Sequence, residues 1–176
     1  YEITYNGIFD EGVFKNGIIL EKHKTIDDRE FKGNLLCREC AVGELKVIDS
    51  DKNIVKSIDK GTIVNDHIEG EGVRVRHYND SLTTRKTGFF VKGLLYGHGT
   101  KETTTIMPSG IKSEQICSGF FWDDEFYKDV VITETFSGIP AEKGVARVLR
   151  SCGVRIVARN VSELVVECRG EFKDEL

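Results

Sequence analysis

Proline is nearly missing from this chain: Pro108 and Pro140 are its two prolines in 176 residues. Set against eighteen glycines, that scarcity argues for many tight turns and against loose linkers. Positive charge is not in excess either. Lys and Arg number 25 against 29 Asp and Glu, a net charge of −4, so no nucleic-acid partner is expected. There is no apolar run of the roughly 18 residues needed to cross a bilayer. The five cysteines, odd in number and irregularly spaced, form no disulfide framework. They read as reduced, which favours a cytoplasmic location. Tyr1-Glu2-Ile3-Thr4 is neither a start methionine nor a signal peptide, so the chain reads as a piece of a longer protein or a processed form. What is present is an ordinary soluble balance, 39% hydrophobic and 31% charged. It suffices for one domain or a short repeat array.

The chain is organised around Gly88-Phe89-Phe90-Val91-Lys92-Gly93-Leu94-Leu95-Tyr96-Gly97-His98-Gly99. These residues read as a β-hairpin: a strand, a glycine-marked turn and a returning strand relieved by two glycines. The opening recurs at Gly7, Gly33, Gly61 and Gly119 with an apolar residue two positions on, and at all but Gly33 with a turn residue three after that. Pleat geometry explains the offsets. The apolar side chain takes one face, and the turn residue must accept positive φ or a local hydrogen bond. From Gly7 to Gly119 the successive steps are 26, 28, 27 and 31 residues, the range in which internal repeats mean an array.

Between the openings lie further strand signals. Gly72 to Tyr78 alternates, Thr100 to Ile106 is rich in β-branched residues and ends at a Met107-Pro108-Ser109-Gly110 turn, and Val130 to Phe136 is another strand. After Gly138 the pattern loosens. The stretch from Pro140 to Leu149 reads as a short helix or as a strand from Val145, with the strand preferred. Gly153–Ala158 and Glu163–Cys168 read as strands joined by a turn near Arg159-Asn160. Gly170, Phe172 and Glu175 repeat the offsets of Gly7, Phe9 and Gly12, as at the start of another unit. Residues 1–137 are therefore expected to be hairpin repeats, and 138–176 a C-terminal β extension.

These residues carry a family likeness. The element Gly-x-aromatic-x-x-Gly-x-x-x-Gly-x-Gly resembles the MORN repeat (membrane occupation and recognition nexus). Gly88, Phe90, Gly93, Gly97 and Gly99 match every fixed position, and Gly61, Ile63, Asp66, Gly70 and Gly72 match with two substitutions. The units at Gly7, Gly33 and Gly119 keep the opening but have Asn16/Ile18, Val42/Glu44 and Lys128/Val130 where the closing glycines belong. The steps are longer than the family's usual one. The resemblance implies an all-β fold, an elongated single-layer antiparallel sheet of stacked β-hairpins with aromatics packed along one face. It also implies a module that recruits protein partners or, in some cases, acidic membrane lipids.

Candidate sites are few. Phe9, Phe90, Phe121 and Phe172 fall at one point per unit, as a packed core or as an exposed groove for a partner peptide. Cys37-Arg38-Glu39-Cys40 lacks the further ligands of a zinc site and the βαβ context of a redox motif. Cys152 with His23, His67, His77 or His98 declares no nucleophile–base geometry. Arginines gather in the C-terminal third, where Arg155 and Arg159 are candidates for a basic stripe that Arg74 and Arg76 extend. The terminal Lys173-Asp174-Glu175-Leu176 spells an ER-retrieval signal, which would place the protein in the ER lumen if it were a true terminus. The composite expectation is a non-catalytic interaction module that needs no cofactor or metal and binds a protein partner or an attached domain. Its contact residues would be Phe90, Tyr96, Phe121, Trp122, Arg74, Arg76, Arg155 and Arg159. The alternatives are an accessory domain positioning an enzyme's substrate and an adaptor for acidic membrane lipid.

Overall fold

The computed structural model describes residues 2–22, 27–37, 40–137, 155–160 and 163–170, giving the backbone alone at 128, 130, 136, 155–160 and 163–170. The described residues form twelve strands and no helix: β1 (Glu2–Asp10), β2 (Val13–Lys22), β3 (Asp28–Leu35), β4 (Cys40–Asp49), β5 (Ile54–Val64), β6 (His67–Asn79), β7 (Leu82–Val91), β8 (Leu94–Ile106), β9 (Lys112–Trp122), β10 (Glu125–Ser137), β11 (Arg155–Asn160) and β12 (Glu163–Gly170). They make one open sheet in which β1 to β10 follow chain order, after which β12 and then β11 complete the sequence of neighbours. The chain divides into two compact units, residues 1–77 with 87–94 and residues 78–86 with 95–176.

Tight turns of one kind recur. Glu11-Gly12, Asn65-Asp66, Lys92-Gly93 and Asp123-Asp124 all have positive φ at both residues, as a two-residue type I′ hairpin turn requires. The second residue of each stands five positions after Gly7, Gly61, Gly88 and Gly119, where the sequence asks for one. Asx chemistry substitutes for glycine in two of the four turns, because Asn and Asp tolerate the left-handed region better than other side chains.

In the first unit the register is set by glycine. Every strand pair from β1 to β6 places glycine opposite glycine: Gly7 with Gly17, Gly17 with Gly33, Gly33 with Gly43, Gly43 with Gly61 and Gly61 with Gly72. The reason is steric. A Cβ on Gly33 would lie 2.2 Å from the Val42 carbonyl oxygen and 2.7 Å from the Gly43 Cα. A Cβ on Gly43 would lie 2.2 Å from the Lys32 oxygen. Gly33 also has φ 157°, a region that L side chains rarely enter. The space left by the missing side chains is filled from the neighbouring residues. The Phe31 ring reaches within 3.0 Å of the Gly33 Cβ position, and Ile68 Cδ1 within 2.5 Å of that of Gly72. In the second unit Gly99 again faces Gly119, and in the β10–β12 pair Gly170 lies opposite Val130.

Two rows of side chains flank the glycines on the face they share. In the first unit the turn-side row includes Phe14, Ala41, Ile63, Ile68 and Phe90, and the other includes Phe31 and Leu45, all of them buried. Tyr5 and Phe9 each pack against Phe14 with ring centroids 5.5 Å apart. In the second unit Leu95 and Phe121 are fully buried, and the Phe121 ring lies 4.8 Å from that of Phe126. Strands expected at Gly153–Ala158 and Glu163–Cys168 occur as β11 and β12. The expected element between Pro140 and Leu149, and the offsets Phe172 and Glu175, lie outside the described residues.

The glycine register yields a stability prediction. Gly33→Ala and Gly43→Ala each lower unfolding free energy by roughly 1–3 kcal/mol, the usual cost of a strained backbone position. The exposed change Lys112→Ala leaves the urea midpoint essentially where it was. Equal midpoints for all three would show that the close backbone approach is not needed.

Candidate functional site

Strand alternation gives each unit a second face, opposite the packed rows. In the first unit this face is a lattice of charges. Lys46 Nζ reaches Glu30 at 2.7 Å and Glu44 at 3.4 Å, and Lys60 reaches the second oxygen of Glu44 at 2.7 Å. The hydrogen bond to Glu30 raises the Lys46 ammonium above its ordinary value, and the bond from Lys60 holds the Glu44 carboxyl below its own. These charges satisfy one another, beside the exposed apolar side chains of Ile8, Val42 and Phe89.

The second unit carries aromatics instead. His98 is in register with Phe120, and their rings meet edge to face at 5.3 Å. One step nearer the turn, Tyr96 meets Trp122 at 5.3 Å with the planes at 68°. Phe120 continues to Tyr127 at 6.0 Å, so the ladder runs over β8, β9 and β10. Tyr127 reaches it because the β9–β10 register shifts between Phe126 and Lys128. Trp122 is 63% exposed and Tyr127 59%, values far above the norm for large rings. The Tyr96 hydroxyl donates to Asp123 at 3.3 Å, and partial burial with that carboxylate raises its pKa.

The residues proposed from sequence are distributed unevenly. Tyr96 and Trp122 belong to this ladder. Phe90 and Phe121 have no exposed surface and are packing residues on the other face. Arg74 is buried, donating from Nε and Nη2 to the two oxygens of Asp59 at 2.7 and 2.6 Å and from Nη1 to the Gly93 carbonyl. Arg76, two residues on, is exposed, so the two do not form a surface stripe. Arg155 and Arg159 lie in β11, with Arg155 in register with Glu167; their side chains are outside the described residues. The sequence reading weighs His98 only as a base for Cys152 and passes over Phe120 and Tyr127. His98 and Phe120 were recoverable, since each is an immediate neighbour of a row glycine and so faces away from the packed side.

Cys37 and Cys40 correct the expectation of reduced thiols. Cys37 precedes β4 in a tight reversal where the N–H groups of Leu36 and Cys37 both donate to the Cys40 carbonyl. The Cα atoms are 5.0 Å apart and the pair is disulfide-bonded. Cys117 is free and buried, and burial pushes its thiol up to about 11. His23 and Cys152 lie outside the described residues, among which no three His, Cys, Asp or Glu side chains converge as a metal site would require. A groove of about 380 Å³ in the first unit, lined by Tyr5, Ile19, Phe31 and Leu45 among others, lies between the two packed rows. No protein-family model matches the chain, and no curated protein matches it in sequence.

Two outcomes follow from the buried polar groups. Asp59→Asn strips the charge partner from a buried guanidinium and lowers stability by roughly 3–5 kcal/mol in urea unfolding. An unchanged midpoint would mean that Arg74 finds solvent. Cys117 contributes as a neutral thiol whose folded value lies above the ordinary 9.0. That contribution is complete below about pH 9 and is lost as pH rises through about 11. At pH 8 its alkylation, read at the Cys117 peptide by mass spectrometry, is therefore much slower in the native chain than in urea; equal rates would refute the burial.

Proposed function

We propose that the chain is a non-catalytic, MORN-like interaction module that presents the Tyr96–Trp122 and His98–Phe120–Tyr127 ladder to a protein partner. One observation carries the reading. Phe14, Phe31, Phe90 and Phe121 beside the glycines are buried by packing, whereas this second set lies in an ordered array with two of its five rings mostly exposed. Monomeric proteins seldom leave contiguous apolar surface uncovered without a use, and Trp and Tyr are the side chains most often found at the energetic centre of an interface. A flat sheet face suits a protein surface or an extended segment. Hairpins one after another would hold that face rigid, which limits the ordering cost of binding.

Site-specific photo-cross-linking in cells tests it. A benzophenone side chain at position 122 is expected to give a discrete protein adduct, and the same group at Lys52, in the turn after β4, is not. Adducts of equal yield at both positions, or cross-links at 122 to lipid alone, would overturn the proposal.

A further inference from the structure

The ladder has a charged margin, and it is mostly acidic. Glu125 is in register with Trp122, and Asp123 fills the first position of the adjoining turn with φ 55°. Both are exposed, and among the described residues neither has a cationic side chain bonded to it. The other turn carboxylate, Asp124, is spent on the packed side. It accepts the Leu95 N–H at 2.8 Å and the Lys86 ammonium at 2.6 Å. From Asp123 to Asp129 the chain holds four acidic residues and one lysine, so the aromatic corner lies in a locally negative field. Tyr96 and Trp122 meet at 68°, which makes two walls of a corner, and the Asp123 carboxylate touches one of them.

From this geometry we infer that the corner formed by Tyr96, Trp122, Asp123 and Glu125 receives an arginine side chain from an extended, basic partner segment. The inference rests on the interaction reading above and adds the chemistry of the occupant. A guanidinium fits for three reasons. Its flat face stacks on an indole or phenol ring, drawn by the negative π-face. Its edge offers paired N–H donors to carboxylates on either side. Being weakly hydrated, it also loses less on leaving water than an ammonium does. The protein already places a cation over a ring on the opposite face, where the Lys101 ammonium lies 5.9 Å from the Phe126 centroid. A neutral apolar occupant would leave both carboxylates unanswered, and an acidic one would be repelled.

The test uses the whole chain and fluorescein-labelled peptides with three arginines spaced by Gly-Ser, beside an otherwise identical peptide carrying citrulline, the neutral isostere. Binding is followed by fluorescence anisotropy at physiological salt. The arginine peptide is expected to bind about tenfold more tightly than the citrulline peptide, the order a partly desolvated cation–π contact is worth. Trp122→Ala and the pair Asp123→Asn with Glu125→Gln should each abolish most of that difference while the thermal unfolding curve is unchanged. A charge-matched control, Asp51→Asn with Glu71→Gln in the first unit, should leave it intact. Equal affinity for arginine and citrulline, or a loss as large in the control as in the corner variants, would overturn the inference. Failure here with the discrete adduct at position 122 retained would remove the arginine and keep the interaction face. Loss of both would remove the face itself.

Discussion

Backbone meets backbone at the glycines, and the rest of the first unit depends on that approach. Where Gly33 faces Gly43, a single added methyl would sit 2.2 Å from a carbonyl oxygen on the opposite strand. No neighbouring side chain can yield to relieve it, because the obstacle is main chain. A strand slipped by one residue would drive Lys32 or Asn34 into that position and turn every apolar side chain to the other face. Steric exclusion therefore chooses the register, and hydrophobic burial then stabilises it. The vacancy has a second consequence: Phe31 and Ile68 lean into the trough, joining what would otherwise be two separate rows.

Once the packed face is fixed, alternation dictates what the opposite face must display. In the first unit that face includes Glu30, Lys46, Glu44 and Lys60, each answered by a neighbour. In the second it includes Tyr96, Trp122, His98, Phe120 and Tyr127, whose rings meet one another at their edges. The same pleat thus supports a charge lattice in one place and an aromatic ladder in another, with no change of backbone plan. Buried polar pairs serve the packed side. Arg74 ties Asp59 to the Gly93 turn, and Lys86 meets the Asp124 turn, so turn and strand are linked in each unit.

Much of this was legible in the order of residues. The turn positions at Gly12, Asp66, Gly93 and Asp124 followed from the offset after each leading glycine, and so did the shared face of Phe90 and Phe121, but not that this face is packed: both were named as contacts and are fully buried. The partners Gly17 and Gly43 were missed for a definite reason. They stand ten residues after their leading glycines, whereas Gly72 and Gly99 stand eleven. The difference is absorbed in the returning strand. Between Gly61 and Gly72 two residues, Gly70 and Glu71, have no opposite number, while between Gly7 and Gly17 only Lys15 has none. A spacing rule written for the longer hairpin therefore overlooks the shorter. Arg74 was misplaced because charge alone gives no sign of a buried acidic partner fifteen residues back. Tyr127 was unreadable because its position depends on a register shift. The Cys37–Cys40 bond was unreadable because it needs the reversal to be known first.

The claim on which all this turns is that glycine faces glycine across each strand pair from β1 to β6. Antiparallel residues in close register bring their Hα protons together, so a nuclear Overhauser spectrum of uniformly labelled chain reports the pairing directly. Strong Hα–Hα cross-peaks joining Gly7 to Gly17, Gly33 to Gly43 and Gly61 to Gly72 are what the account requires. Cross-peaks from Gly33 to Val42 or Glu44 in place of Gly43 would contradict it.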